Sequence, residues 1–368
     1  MVSIDVFRGL TVALMILVNT AGDGDVSYAQ LRHSAWNGCT LTDLVFPTFL
    51  FLMGVSMAIA RSAKTPSAAE RFAKASRRSA VLILIGLTLN ALPFFHLHTL
   101  RYCGVMQRIG LTYWLAAIFL LCIDWRGTVA LCCLILGGYW AVMTVVPIPG
   151  IGKTGTQAGI LDPVANMAAA LDRLAIPQAH LYRHSFYDPE GLLSTLPALA
   201  SVLLGVLAGR VLQRRELASR LGWLAGCGVG LATLGLMWNA VFPINKRMWT
   251  SSYVLWVAGI DFLLLALLSR WLDRPAPPAT GWRQRLLPPW QAFGSNALVA
   301  YVLSEIIAIA ISTAHVTAGV SLQRWSYLLI PAWAGPPPLR SLVWSVAFTA
   351  LCYLPVHLLY RKRIFIKL

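Results

Sequence analysis

The chain has 368 residues, of which 58% are hydrophobic and only 12% charged, a balance that no water-soluble domain of this length shows. Its formal net charge is +16 at pH 7, but the basic residues lie in short segments between apolar stretches and not on one soluble face, which argues against nucleic acid as a partner. The seven cysteines form no CxxC pair, and Cys122, Cys132, Cys133, Cys227 and Cys352 lie in apolar stretches, so neither a metal centre nor a disulfide framework is expected.

Apolar stretches long enough to cross a hydrocarbon core of roughly 30 Å recur along the chain. Ten are predicted, over 6–20, 41–60, 79–95, 104–123, 128–147, 190–209, 221–242, 251–270, 291–313 and 339–360. They read as helices because the strands of a membrane barrel would alternate polar and apolar residues. The expected fold class is all-α: a polytopic membrane helical bundle of about ten transmembrane helices, forming one domain over 1–368. With the N-terminus in the cytoplasm, twenty of the thirty Lys and Arg fall on the inner side, so the positive-inside rule places both termini there. The first apolar stretch carries Asp5 and Arg8 and lacks a small-residue cleavage site, so it is expected as a helix of the mature chain and not as a signal peptide. A turn-rich outer loop is expected over about 148–189 and a proline- and arginine-rich cytoplasmic linker over about 271–290.

Taken in chain order, the polar residues of these elements carry the chemical information. On helix one, Asp5 and Arg8 are spaced for a local ion pair. Asn19 ends that helix, where it serves either as a C-cap or as an amide that polarises an acyl carbonyl. The segment His33-Ser34-Ala35-Trp36-Asn37-Gly38-Cys39-Thr40-Leu41-Thr42-Asp43 follows on the outer side. Imidazole titrates near neutral pH and is suited to remove a proton from an amine or to accept an acyl group, and a nearby carboxylate would fix its tautomer. Two plainer readings stand beside this: Trp36 as an aromatic-belt residue, and Asp43 as a helix-start carboxylate in a capping box with Thr40.

Gln107 and Arg108 begin helix four at membrane depth, and Glu305 lies midway along helix nine. Ionisable groups there are costly and face either a pairing partner or a functional cavity. Asp188, Pro189 and Glu190 have the chemistry of a helix start, with Asp188 as N-cap and Pro189 at the first helical position. Lys246 and Arg247 are adjacent cations on the side where cations are disfavoured, which leaves an anion or carbohydrate contact and solvated snorkelling as the alternatives.

Seven motifs then stand in order: Ser3-Ile4-Asp5-Val6-Phe7-Arg8-Gly9; His33 to Gly38 with Thr42 to Pro47; Gly104-Val105-Met106-Gln107-Arg108; Tyr187-Asp188-Pro189-Glu190-Gly191; Pro243-Ile244-Asn245-Lys246; Gly294-Ser295-Asn296-Ala297; and Tyr360 to Phe365. In this the chain resembles the heparan-α-glucosaminide N-acetyltransferase family and its bacterial relatives of the NagX type, within the transmembrane acyltransferases. The resemblance implies transfer of an acetyl group from cytosolic acetyl-CoA to the amine of a glucosamine-type sugar on the periplasmic side of a bacterial inner membrane. It also implies that His33 is the active-site histidine, with Asn19 and Asp43 as its catalytic neighbours. Arg8, Gln107, Arg108, Ser295 and Asn296 are expected to bind acetyl-CoA, and Trp36, Asn37, Lys246, Trp249 and Glu305 to bind the sugar.

Membrane lipid and a homodimer complete the expected partners, with no metal and no nucleic acid. The chain begins at the first motif, where the animal enzyme has a further domain and helix, so free glucosamine, a short oligosaccharide or an envelope glycan is expected as acceptor in place of heparan sulfate. Of an acetyl-His33 carrier and a ternary complex with His33 as general base, the second needs fewer steps and is the expectation. An amino-sugar transporter is the alternative function, but its paired broken helices are not evident in the sequence.

Single cysteines replacing Arg32, Lys153 and Lys246 in a cysteine-free background are expected to react with an impermeant thiol reagent from outside, and those replacing Arg71 and Arg283 from inside. Labelling of position 71 from outside would reverse the topology.

Overall fold

The computed structural model describes residues 1–60, 67–214, 216–273, 281 and 286–366. Most of the linker expected over 271–290 lies outside the described residues, as do Arg61, Lys64, Arg215, Arg274, Arg283, Arg285 and Lys367.

The described residues form α1 (Val2–Asn19), α2 (Leu41–Ala60), α3 (Ala68–Ala91), α4 (Val105–Cys122), α5 (Trp125–Thr144), α6 (Gly155–Ala158), α7 (Met167–Ala175), α8 (Thr195–Leu212), α9 (Leu217–Trp238), α10 (Ser251–Leu272), α11 (Pro288–Ser295), α12 (Ala297–Thr313), α13 (Leu322–Leu328) and α14 (Pro337–Arg361). One hairpin, His315–Thr317 with Val320–Ser321, is the exception to an all-α, polytopic fold. Eight helices (α1, α2, α4, α5, α8, α9, α10 and α14) are long and apolar enough to cross a membrane. The pair α11 and α12, bent by 86° at Asn296, makes a ninth span if taken as one. The remaining expected span, 79–95, covers the second half of α3, which ends at Ala91, and the turn that follows it. The first half carries Glu70, Arg71, Lys74, Arg77 and Arg78 and starts on a capping box in which Ser67 and Glu70 exchange backbone hydrogen bonds.

Contacts divide the chain into two compact units: Met1–Ser34, Thr40–Phe49 and Leu267–Leu368 form the first, and Ala35–Cys39 and Leu50–Ala266 the second. In the first unit, α1 and α11 cross with backbones touching. A Cβ on Gly9 would lie 1.8 Å from the Trp290 carbonyl oxygen, and one on Gly294 would lie 1.8 Å from the Asp5 carbonyl oxygen. Lipid offers helices little hydrophobic reason to associate, so close backbone approach through small residues supplies the packing. Three of the seven motifs meet at this crossing. Arg8 donates to the Gly294 carbonyl at 3.0 Å and pairs with Asp5 at 3.6 Å. The Asn296 side chain donates to the Ile364 carbonyl and accepts from the Ile366 N–H, both at 3.1 Å, which ties the tail to the helix break.

In the second unit, the second half of α2 meets α8 in the same way: a Cβ on Gly54 would lie 2.0 Å from the Val202 carbonyl oxygen, and one on Gly205 would lie 2.0 Å from that of Phe51. The long loop before α8 is folded. It contains α6, α7 and short turns, and Leu161 and Met167 join Tyr139, Phe242 and Met248 in a small core.

Gly9→Ala and Gly294→Ala must push two helix backbones apart, and each is expected to cost about 1–3 kcal/mol or more. Gly230→Ala, where an added Cβ meets nothing within 4 Å, is the control and should be neutral or slightly stabilising. Thermal midpoints in detergent check the contrast.

Candidate active site

Besides Arg8 and Asp5, two pairs of polar side chains stand out in the first unit, His33 with Asp43 and Asn19 with Glu305. His33 lies at the end of the loop after α1, and Asp43 in the first turn of α2. The imidazole Nδ1 is 2.7 Å from Asp43 Oδ1, with the carboxylate side chain 0% exposed and the imidazole 46% exposed. The other carboxylate oxygen, Oδ2, accepts the N–H of Ser34, the N–H of Thr40 and the Thr40 hydroxyl, each at 3.0 Å. The capping reading and the histidine-orienting reading of Asp43 therefore occur together, one on each oxygen. A carboxylate on Nδ1 keeps the proton there and leaves Nε2 as the acceptor, the arrangement of an imidazole that can take a proton. The second pair joins Asn19 and Glu305. The Asn19 amide and the Tyr301 hydroxyl donate to the Glu305 carboxylate, so this membrane-depth carboxylate has hydrogen-bond donors around it.

In the second unit, the Trp36–Gly38 segment is laced to the Pro243–Lys246 segment. Gly38 N–H donates to the Ile244 carbonyl at 2.8 Å, and the Asn245 amide donates to Asn37 Oδ1 at 3.1 Å. Trp36 donates from Nε1 to the Leu161 carbonyl at 2.8 Å and meets Tyr187 edge-on at 5.5 Å. Arg247 donates to the Tyr187 hydroxyl at 3.0 Å and sits 5.8 Å from the Trp36 ring centroid, so it is held by protein partners where snorkelling was one alternative. Trp249 is 0% exposed, with a left-handed φ of 52° and its indole N–H 3.3 Å from the Ser201 hydroxyl. A bulky residue in that region is strained and persists only where its surroundings hold it.

The strongest polar network of this unit centres on Arg101, which sequence reasoning missed. Asp188, fully buried, accepts Arg101 Nε at 2.9 Å and Nη2 at 2.5 Å, together with the N–H groups of Tyr182 and Glu190 at 2.9 Å. Arg101 Nη2 also reaches Glu190 at 2.6 Å. Burial works against the Arg101 charge, but the Asp188 hydrogen bond and the fields of Glu190 and Asp188 raise its pKa above the ordinary value. Burial likewise works against ionised Glu190, yet Arg101, Arg108 and Lys246 hold it below the usual carboxylate value. Asp172 is pushed up by burial despite accepting the Leu192 and Asp188 N–H groups. Gly191 makes that approach possible, since a Cβ there would lie 2.1 Å from Asp172 Oδ2.

The expected helix start at Asp188 is thereby corrected. The Asp188 carboxylate is bound to Arg101 and to turn N–H groups, and α8 begins at Thr195. Arg108, 2% exposed, donates from Nη2 to the Gly191 carbonyl at 3.2 Å and to the Ser194 hydroxyl, with its guanidinium 4.9 Å from the Trp249 ring centroid. Its Nε and Nη1, and Gln107 Nε2, are buried N–H groups with no hydrogen-bond partner among the described residues. Burial pushes the neighbouring Cys103 thiol up to about 12, too high for a thiolate nucleophile at neutral pH. Of the residues expected to bind acetyl-CoA, Arg8 and Asn296 are engaged at the α11–α12 break, and Ser295 donates to the Ala292 carbonyl at 3.0 Å.

A family model described as "Heparan-alpha-glucosaminide N-acetyltransferase, catalytic" matches residues 1–236. The human and mouse heparan-alpha-glucosaminide N-acetyltransferases are each 28% identical to the chain, over 100% and 99% of its length. The matches cover 59% and 60% of those two proteins, so the chain spans about six tenths of the length of the curated relatives it matches.

Arg101→Met removes the direct ion-pair partner of the buried Asp188 and Glu190 carboxylates and is expected to cost about 3–5 kcal/mol. A depressed carboxylate pKa stabilises the fold above the unfolded-state value, and the contribution is lost as pH falls through the folded value. The parent should therefore stay folded at a lower pH than Arg101→Met, which circular dichroism of an acid titration will read.

Proposed function

This chain belongs to the heparan-α-glucosaminide N-acetyltransferase family, and from that we propose that it is an N-acetyltransferase moving an acetyl group from acetyl-CoA to the amine of a glucosamine-type sugar. The observation that carries the proposal is the His33–Asp43 pair, a half-exposed imidazole on a fully buried carboxylate, inside the matched residues. A sugar ammonium must lose a proton before it is nucleophilic, and His33 Nε2 receives it while Nδ1–H stays bonded to Asp43. The freed amine attacks the thioester carbonyl in a ternary complex. The new C–N bond forms, the C–S bond breaks, and coenzyme A leaves as its thiol once protonated. Asn19 steadies the carbonyl oxygen through an amide N–H.

The donor is cytosolic, the acceptor lies on the periplasmic side of a bacterial inner membrane, and both termini face the cytoplasm, in line with the loop charges. Gln107 and Arg108 serve acetyl-CoA: their buried, unpartnered N–H groups suit the carbonyls of its pantetheine arm. Trp36, Asn37 and Lys246 serve the sugar. Free glucosamine, a short glucosamine oligosaccharide or an envelope glycan is the natural acceptor.

Purified protein given acetyl-CoA and glucosamine is expected to release free thiol and N-acetylglucosamine in equal amounts. His33→Ala should abolish release while acetyl-CoA still binds. Asp43→Asn should lower kcat about 10²- to 10⁴-fold with the fold intact. Sugar uptake into liposomes without thiol release would make the protein a transporter. A chemically competent acetyl-His33, isolated from protein given acetyl-CoA alone, would replace the ternary complex by a carrier.

A further inference from the structure

Thr40 has one hydroxyl proton and two acceptors for it. Its Oγ1 lies 2.7 Å from the Arg32 carbonyl oxygen and 3.0 Å from Asp43 Oδ2, and a hydroxyl can donate to only one of them at a time. When the proton points to Arg32, the lone pairs of Oγ1 face a carboxylate oxygen at hydrogen-bonding distance. When it points to Asp43, it joins the two backbone N–H groups already on Oδ2. Asp43 has no exposed surface, so bulk water cannot take the place of a withdrawn donor, and an under-bonded buried carboxylate is costly.

The backbone donors from Ser34 and Thr40 are fixed by the chain path, whereas the Thr40 hydroxyl can rotate. Donation to Asp43 adds a third donor to Oδ2 and so helps to fix where Oδ1 faces His33. The rotation needs no movement of heavy atoms, because both acceptors are already within reach.

From this geometry we infer that Thr40 is a positioning residue of the proton-transfer pair: its hydroxyl, donating to Oδ2 beside the two backbone N–H groups, holds Asp43 so that Oδ1 stays on His33 Nδ1 while the imidazole takes the proton. The inference rests on His33 acting as the base. Thr40 touches neither the acetyl donor nor the sugar in this scheme, so its removal changes the rate of the chemical step and not the binding of either substrate.

The test compares Thr40→Val, which keeps the branched shape and the backbone N–H, with Thr40→Ser, which keeps the hydroxyl. Thr40→Val is expected to lower kcat about 10- to 100-fold with KM for acetyl-CoA and for glucosamine unchanged, and Thr40→Ser to restore most of the loss. In an Asp43→Asn background, Thr40→Val should have no further effect on kcat. Thermal midpoints of all variants establish that they are folded. Full activity in Thr40→Val, a loss confined to KM, failure of Thr40→Ser to restore activity, or full additivity with Asp43→Asn would each overturn the inference. If instead His33→Ala remains active, the general-base reading itself fails, which separates the two outcomes.

Discussion

A chain whose solvent is largely lipid must satisfy its polar groups from within itself, because an unpaired backbone or side-chain polar group in hydrocarbon costs several kcal/mol. Long apolar helices meet that demand along their length, and polar residues collect where helices end, start or break. The seven ordered motifs lie at such places or in the turns between helices. The first, sixth and seventh meet at the break between α11 and α12, where Arg8 takes the Gly294 carbonyl and Asn296 takes both a carbonyl and an N–H of the tail. Residues that a functional reading assigns to a ligand are there bonded to backbone, and their first physical task is to make a broken helix affordable in the membrane.

The same requirement explains why glycine marks the helix crossings. With little hydrophobic gain from helix association in lipid, packing depends on distance, and the reciprocal contacts of Gly9 with Trp290 and of Gly294 with Asp5 leave no volume for a side chain. Motif residues that look like catalytic punctuation, such as the glycine after Arg8, are in part the consequence of two backbones in contact. Gly191 belongs to the same class for a different reason: the neighbour it admits is the carboxylate of Asp172.

Asp43 shows how a capping residue and a histidine-orienting residue can be one group. A carboxylate has two oxygens and about four acceptor sites. Here Oδ2 collects the donors of a helix start and Oδ1 is left for the imidazole. Rigid backbone donors on one oxygen restrict where the other can point, so the helix start gives the imidazole a fixed partner. Arg101 shows the complementary case, in which one cation pairs directly with two buried carboxylates of the Asp188–Glu190 turn.

The sequence by itself determined the fold class, because the length and composition of an apolar stretch are local properties and the lipid acts on each stretch separately. It also put His33 and Asp43 ten positions apart across a short loop and a helix start, with complementary chemistry. Only the tertiary structure decided the rest. Asp188 has the local signature of a helix cap, but its carboxylate is taken by an arginine 87 residues away, and no spacing in the sequence encodes that distance. Glu305 reads as an isolated charge in a membrane helix until the end of α1 brings the Asn19 amide to it. Local preference is worth about 1 kcal/mol per residue, whereas a buried carboxylate without its partner costs several. Where the two disagree, as at Asp188, the long-range charge pair wins and the helix starts later.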